Sequence, residues 1–213
     1  MRFLKLLPFL SLFASHYLLS QNGVIKLENP SFEGVPGEGT MGGKLPDGWF
    51  DCGFPSESPP DVHPKQGNSA FQVTQLPSHG KTYLGLVTRG SDTWEMVSQR
   101  LDSSLQAGMT YSFSIDLCHS TTMISASRTS NLPVKYVTPI TLRIWAGGEN
   151  CGRTELLAVS PLITNDKWEK YDFKFTPTAD YRYIVLEAFY KPKSPFPYNG
   201  NLLMDNASDI IKQ

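Results

Sequence analysis

The stretch that decides the fold of this chain is YSFSIDL, at residues 111–117. Every second side chain in it is apolar: Tyr111, Phe113, Ile115 and Leu117. The positions between them are polar: Ser112, Ser114 and Asp116. Because successive side chains of a strand point to opposite faces, strict alternation predicts a β-strand with one buried face.

The same alternation recurs on both sides of this stretch. Leu142, Ile144 and Ala146 alternate with Arg143 and Trp145. About nine short runs rich in Val, Ile, Tyr, Phe and Thr are separated by clusters of Gly, Pro, Asn, Asp and Ser, which predicts an all-β sandwich. The clearest predicted strands are 69–75, 82–88, 95–101, 109–117, 140–146, 155–160, 168–175 and 181–189.

The N-terminal residues predict a secretory signal peptide. Arg2 and Lys5 precede an interrupted apolar run from Leu6 to Leu19, which is too short to span a bilayer. We predict cleavage after Ser20, with Ser15 and Ala14 as alternative positions. Residues 1–20 are then the signal and residues 21–213 form a single domain, secreted or held in the periplasm or at the cell surface.

The charge of the chain argues against nucleic acid as a partner. Of 19 basic residues against 20 acidic ones, Arg2 and Lys5 leave with the signal, so the remaining domain carries a formal charge of −3. It has no basic field to attract a phosphate backbone. No further segment resembles a membrane span.

The three cysteines, Cys52, Cys118 and Cys151, are too widely spaced for a zinc knuckle. In an exported protein an odd count predicts one disulfide and one remaining thiol. Which two cysteines pair stays open, because pairing requires Cα atoms within roughly 7 Å.

Two long segments lack strand periodicity: residues 34–64, rich in Gly and Pro, and residues 121–137, rich in Ser and Thr. Long irregular loops in compact domains often serve function, so these two are predicted either to face a ligand or to pack over a sheet edge.

Several motifs resemble the galactose-binding-like jelly-roll domains, a group that includes many carbohydrate-binding modules. In chain order they are Asn29 to Gly34, Pro46 to Trp49, His79 to Leu84, Ala107 to Ser114, Trp168 to Phe175 and Leu202 to Ser208. The stretches 83–89, 93–95 and 197–201 further resemble exported proteins of Bacteroidetes. The resemblance implies a jelly-roll β-sandwich of two antiparallel sheets and a noncatalytic role in binding carbohydrate or another cell-surface polymer.

The resemblance also implies a structural Ca²⁺ that ties the first strand to the last. The matching carboxylates are Glu33 and Asp205, together with a backbone carbonyl near Lys81 or Thr82. Ca²⁺ takes six to eight oxygen ligands of these kinds. The alternative is that Glu33 merely accepts hydrogen bonds at a strand end.

The ligand-binding residues predicted from the sequence combine aromatic rings with charged groups, as sugar recognition requires. If their strands share one sheet, Asp116, Arg143 and Glu187 form a polar cluster on its floor. Trp94, Trp145 and Tyr190 are the aromatic residues predicted to flank it, with Trp94 exposed at a loop tip. The alternative is an internal network of arginine and carboxylates beneath a loop.

Signals for catalysis are weak. The chain has neither GxSxG nor HExxH. Cys118 and His119 are neighbours in a strand and therefore point to opposite faces. Asp116 and Glu187 could resemble a glycosidase pair, but Arg143 between them would keep both ionised. The prediction is a binding module and not an enzyme; the alternatives are a structural or adhesive protein that binds another protein and, third, a small polysaccharide-active hydrolase.

Overall fold

The computed structural model describes residues 23–39, 44–65, 67 and 69–213. The predicted signal, residues 1–20, lies outside these ranges. The described residues form fifteen strands and no helix, so none of them belongs to a helix that could span a membrane. In chain order the strands are β1 (Val24–Ile25), β2 (Phe50–Asp51), β3 (Asp61–His63), β4 (Tyr83–Arg89), β5 (Thr93–Trp94), β6 (Met96–Leu105), β7 (Tyr111–Cys118), β8 (Ile124–Ala126), β9 (Pro133–Lys135), β10 (Thr141–Gly147), β11 (Glu155–Val159), β12 (Glu169–Phe175), β13 (Tyr181–Phe189), β14 (Gly200–Asp205) and β15 (Ile210–Lys212).

The strands form two main antiparallel sheets. The eight-stranded sheet runs in the order β1-β15-β7-β14-β4-β3, with β12 also paired to β7 and β5 to β4. The five-stranded sheet runs β11-β10-β13-β6-β2. A separate hairpin, β8–β9, completes the described strands. The predicted all-β sandwich of antiparallel sheets is confirmed.

The main core lies between the two sheets and consists of the alternating apolar positions seen in the sequence. Its members include Tyr111, Phe113, Ile115 and Leu117 on β7, Leu142, Ile144 and Ala146 on β10, and Ile184, Leu186 and Ala188 on β13. Alternate side chains of each strand point inward, so the intervening residues are left on the outward faces.

A second hydrophobic cluster covers the outward face of the eight-stranded sheet. Tyr83 and Leu203 of that sheet pack with Met123 and Tyr136, which flank the β8–β9 hairpin. The segment 121–137 therefore packs on the face of this sheet and not over its edge, and it contains two strands that were not predicted.

The predicted strand at residues 69–75 is wrong. Ser69 Oγ accepts a hydrogen bond from Val73 N at 3.0 Å, and Glu38 accepts one from Ala70 N at 2.6 Å. Gln72 has a φ of 58°, which is outside the strand region. Side chains thus take the backbone donors that a neighbouring strand would have used. The segment 34–64, predicted to be irregular, contains β2 and β3.

Candidate functional site

The outward face of the five-stranded sheet carries most of the predicted site residues. Arg143 on β10 lies opposite Glu187 on β13, and Glu187 lies opposite Met96 on β6. In the adjacent row Trp145 lies opposite Val185. Directly opposed residues in antiparallel strands share a face, so these side chains project together away from the core.

Glu187 is the centre of this face and is completely buried. Its Oε1 accepts a hydrogen bond from Trp94 Nε1 at 2.8 Å and another from Arg153 Nη1. Its Oε2 accepts one from Trp145 Nε1 at 2.7 Å and lies 3.7 Å from Arg143 Nη1. A buried carboxylate requires such partners, and in return it fixes the orientation of two indoles and two guanidinium groups.

Arg143 connects this buried centre to the surface. Its guanidinium carbon lies 3.3 Å from the centroid of the Phe189 ring, a cation–π contact, and 27% of its side chain is exposed. Burial lowers the pKa of Arg143, and the Glu187 carboxylate opposes that change. The arginine therefore presents a fixed, planar set of donors beside an aromatic ring.

A surface depression of about 310 Å³ adjoins Arg143. Asp92, Phe189 and Tyr190 line it together with the proline-rich segment 191–197. Phe196 in that segment is 76% exposed. The depression therefore combines aromatic surface with charged groups of both signs.

The middle of the same face is covered. Cys52 and Cys151 form a disulfide, with their Cα atoms 5.4 Å apart, which settles the pairing that the sequence left open. Cys151 N donates to Ser98 Oγ at 3.3 Å, and both Ser98 and Val185 have no exposed surface although they face outward. The loop after β10 thus closes the centre of the face and leaves the Arg143 end open.

Five of the six predicted ligand-binding residues gather here: Trp94, Arg143, Trp145, Glu187 and Tyr190. Trp94 is half-buried between Phe54 and Phe189, each with its ring centroid 4.9 Å away, and is not at an open loop tip as expected. Tyr190 is buried and donates through its hydroxyl to Arg89 O at 2.7 Å.

The predicted grouping of Asp116 with Arg143 and Glu187 is wrong. Asp116 lies on β7 in the eight-stranded sheet, whereas Arg143 and Glu187 lie in the five-stranded one. Its Oδ2 accepts hydrogen bonds from Ser78 Oγ at 2.6 Å and from Asn206 Nδ2 at 3.1 Å. Alternation alone gives the face of a strand but not the sheet to which the strand belongs.

Sequence reasoning missed Arg153, Phe189 and Phe196. Phe189 could have been predicted, because it lies two residues after Glu187 in a strand that was predicted correctly, and the two side chains therefore share a face. Arg153 could not have been predicted, because its approach to Glu187 depends on the loop held by the Cys52–Cys151 disulfide.

The two carboxylates predicted to bind Ca²⁺ approach the same loop. Glu33 Oε1 accepts from Lys81 N at 2.7 Å, and Asp205 Oδ2 accepts from His79 N at 2.8 Å. Gly80 lies between those two amides with a φ of +66°, and a Cβ there would be 1.7 Å from Glu33 Oε1. The described residues include no group of three or more His, Cys, Asp or Glu side chains arranged to hold a metal.

Comparison with known proteins adds a family match. A family model described as a carbohydrate binding domain matches residues 27–195. No curated protein sequence matches the chain significantly.

Two solved structures illustrate the structural similarity. The arabinose-bound α-L-arabinofuranosidase MgGH51 is similar at 12% identity with a TM-score of 0.50, over 90% of this chain and 27% of that one. The CBM22-1 xylan-binding domain of Paenibacillus barcinonensis Xyn10C is similar at 18% identity with a TM-score of 0.44, over 90% of this chain and 96% of that one. The chain thus corresponds in length to about a quarter of the arabinofuranosidase, and it shares a fold with that part of the enzyme.

Proposed function

The chain belongs to the carbohydrate binding domain family, and from that membership we propose that it holds saccharide at the Arg143 end of the five-stranded sheet. The observation that supports this position is the stack of Arg143 on Phe189 at the rim of an open depression. A sugar has apolar C–H faces, which pack on aromatic rings, and hydroxyls, which accept hydrogen bonds from a planar guanidinium.

The covered middle of the face limits the mode of binding. A long groove across the sheet would have to pass over Ser98 and Val185, which lie beneath the disulfide-linked loop. The depression beside Arg143 instead accommodates one end or a short segment of a saccharide. We therefore propose recognition of a few sugar units.

We propose that the binding is noncatalytic. Every contact of Glu187 comes from an N–H donor, which suits a carboxylate that accepts hydrogen bonds and not an acid that donates a proton. Glycoside hydrolysis uses two carboxyl groups on either side of the scissile bond. Asp116, the second carboxylate considered from the sequence, belongs to the other sheet.

The position of the site is tested by binding to a glycan array and by affinity electrophoresis in gels that contain soluble polysaccharides. We expect Arg143→Ala to weaken binding about tenfold or more, or roughly 1.4 kcal/mol. Arg182→Ala removes an exposed arginine of β13 and is the matched control. If no glycan retains the chain, or if both variants bind equally well, the Arg143 position is wrong; thermal melts of both confirm that they are folded.

We also propose a structural Ca²⁺ held by Glu33 and Asp205. Support comes from the approach of both carboxylates to one loop, 79–81: Glu33 from the irregular segment between β1 and β2, and Asp205 from the end of β14. Backbone carbonyls of that loop would complete the oxygen set that calcium needs. The test is the melting temperature with and without a chelator. A lower melting temperature on chelation in the wild type, with no change in Glu33→Gln, supports bound Ca²⁺. An unchanged melting temperature in the wild type would contradict the Ca²⁺ site.

Export through a signal cleaved after Ser20 is proposed as well. The Cys52–Cys151 disulfide supports it, because disulfides persist mainly in oxidising compartments. N-terminal sequencing of the protein recovered outside the cytoplasm should begin at Gln21. Recovery of the chain only from the cytoplasm, with Met1 retained, would contradict export.

A further inference from the structure

A cavity of about 230 Å³ lies on the outward face of the eight-stranded sheet, beside the β8–β9 hairpin. Its walls include Asp61 of β3, Val87 and Arg89 of β4, and Ser125 of β8. The cavity shares no lining residue with the Arg143 depression. The two are therefore separate openings, although Tyr190, which lines the depression, donates a hydrogen bond to Arg89 O at 2.7 Å.

The charged groups around this cavity are paired with groups of opposite charge. Arg89 Nη2 pairs with Glu95 Oε1, and Arg89 Nε lies 3.5 Å from Glu57 Oε2, with which Arg128 also pairs. Burial raises the pKa of Asp61 well above its usual range, which favours its neutral form. The walls thus carry polar groups without a surplus of positive charge, an environment that suits a neutral ligand better than an anion.

Arg89 leaves one donor unused. Its side chain is only 4% exposed, and Nη1 is buried without a hydrogen-bond partner among the described residues. A buried donor without an acceptor destabilises the folded state. The Asp61 carboxyl, on the same cavity wall, accepts from Gly39 N at 2.7 Å. A molecule that both accepts and donates hydrogen bonds would satisfy the arginine and the carboxyl together.

The rest of the lining combines apolar residues with Ser58, Ser125 and Tyr136. Phe71, Val87 and Met123 contribute side chains to it, and the volume lies below the ~300 Å³ at which sites for drug-sized ligands begin. Apolar walls with a few inward polar groups are typical of small-molecule sites. A single sugar ring, with hydroxyls at its edge and C–H groups on its faces, has this combination of properties.

We propose that this cavity is a second binding site, which takes one neutral sugar unit. Arg89 donates to a hydroxyl of the ligand, Asp61 contacts a neighbouring hydroxyl, and Phe71 and Met123 contact the ring. This site goes beyond the proposed function, because it uses none of the residues that line the Arg143 depression.

The test uses the whole purified chain and a panel of methyl glycosides of neutral hexoses and pentoses, with glucuronate and galacturonate in parallel. Gly39 N donates to Asp61 and Val87 N donates to Glu95, so these two amides report on the cavity in ¹H–¹⁵N NMR spectra. We expect at least one neutral glycoside to shift both amides, and the same glycoside to do so in Arg143→Ala with unchanged affinity.

Ser125→Trp fills the cavity from β8 and should weaken that glycoside about tenfold, or roughly 1.4 kcal/mol. Ser130→Trp, at an exposed position in the turn of the same hairpin, is the matched control and should leave the affinity unchanged. Arg128→Ala replaces a lining residue whose side chain is 40% exposed and should weaken binding by about threefold. This second variant keeps the proposal testable if Ser125→Trp does not fold.

The proposal is overturned if no neutral glycoside shifts the two amides, if only the uronates shift them, or if the shifts are lost in Arg143→Ala. Unchanged affinity in folded Ser125→Trp or Arg128→Ala would do the same. Loss of glycan retention in Arg143→Ala without any change in these amides would leave the Arg143 position standing and the cavity rejected, so the two proposals fail separately.

Discussion

The two outward faces of the sandwich bury charge in different ways. On the five-stranded sheet, both oxygens of Glu187 receive N–H donors. On the eight-stranded sheet, Arg89 is buried among carboxylates and keeps Nη1 without a partner in the described part of the chain. A fully satisfied buried charge thus positions its neighbours, whereas an unmatched donor beside a cavity remains free to bind a ligand.

The faces also differ in what covers them. A loop joined by the Cys52–Cys151 disulfide closes the middle of the five-stranded face. Apolar contacts of Met123 and Tyr136 hold the hairpin segment on the eight-stranded face. Covalent linkage and hydrophobic packing thus perform the same structural task on opposite sheets.

The largest effect is expected from removing the disulfide, which acts on one face only. The bridge closes a sequence separation of 99 residues, for which the chain-entropy model gives about 4.7 kcal/mol. Cys52→Ser combined with Cys151→Ser should lower the free energy of unfolding by that amount in urea titrations. Hydrogen exchange should accelerate more at Ser98 and Val185, which lie beneath the loop, than at Leu203 on the other sheet, where only the global loss of stability acts. Equal acceleration on both faces would show that the loop does not act locally.

The next effect is expected at the buried carboxylate. Glu187→Ala leaves Arg143 and Arg153 without their shared acceptor, and loss of one partner from a buried ion pair typically costs about 3 kcal/mol. Urea unfolding measures the loss, with Glu169→Ala as the control because Glu169 is exposed on β12. A cost below 1 kcal/mol would mean that Glu187 does not organise this face.

A smaller effect, on the pH dependence of the free energy of unfolding, is expected from Glu95 beside the eight-stranded sheet. Burial raises the pKa of Glu95 to about 7, against the opposing effect of Arg89. The unfolded carboxyl has a pKa of about 4.3, so between these values the folded state binds more protons and stability falls as pH rises. Asp51 adds to the elevation, and Asp61 has an elevated pKa of its own.

The wild type should therefore lose about 1–2 kcal/mol of stability between pH 5 and pH 7, since one pKa unit corresponds to roughly 1.4 kcal/mol. Glu95→Gln should flatten this fall, whatever its overall stability, whereas Glu169→Gln should not. Asp61, whose pKa is also raised by burial, contributes in the same direction to the part of the slope that remains. An identical slope in Glu95→Gln would refute the assignment.

The sequence was sufficient for the strands whose two faces differ in polarity. Alternation placed Phe113 and Ile144 in the core and Arg143 on an outward face because a strand has a period of two. The segment 69–75 was mistaken for a strand because its composition is β-like, whereas the contacts that decide it come from Glu38, about thirty residues earlier.

The site was predictable only in part, for the same reason. Alternation and the presence of charge in an apolar strand were enough to select Glu187 and Arg143. Neither could show that Asp116 belongs to the other sheet, or that Cys151 brings Arg153 onto Glu187. The Arg89 cavity left no signal in the sequence, because Asp61, Arg89 and Arg128 come together through three separate strands and loops.

The smallest effect concerns the rim of the open depression. Phe196 is 76% exposed beside Arg143, whereas Phe50 is 50% exposed on β2, at the opposite edge of the same sheet. Exposed rings add affinity only where the ligand reaches them, so Phe196→Ala should weaken saccharide binding about fivefold, or roughly 1 kcal/mol, and Phe50→Ala should not. Titration calorimetry with the glycan that the wild type retains most strongly measures both. A loss in Phe50→Ala alone would move the site to the far edge of the sheet, and equal losses would mean that the saccharide crosses the whole face over the disulfide-linked loop.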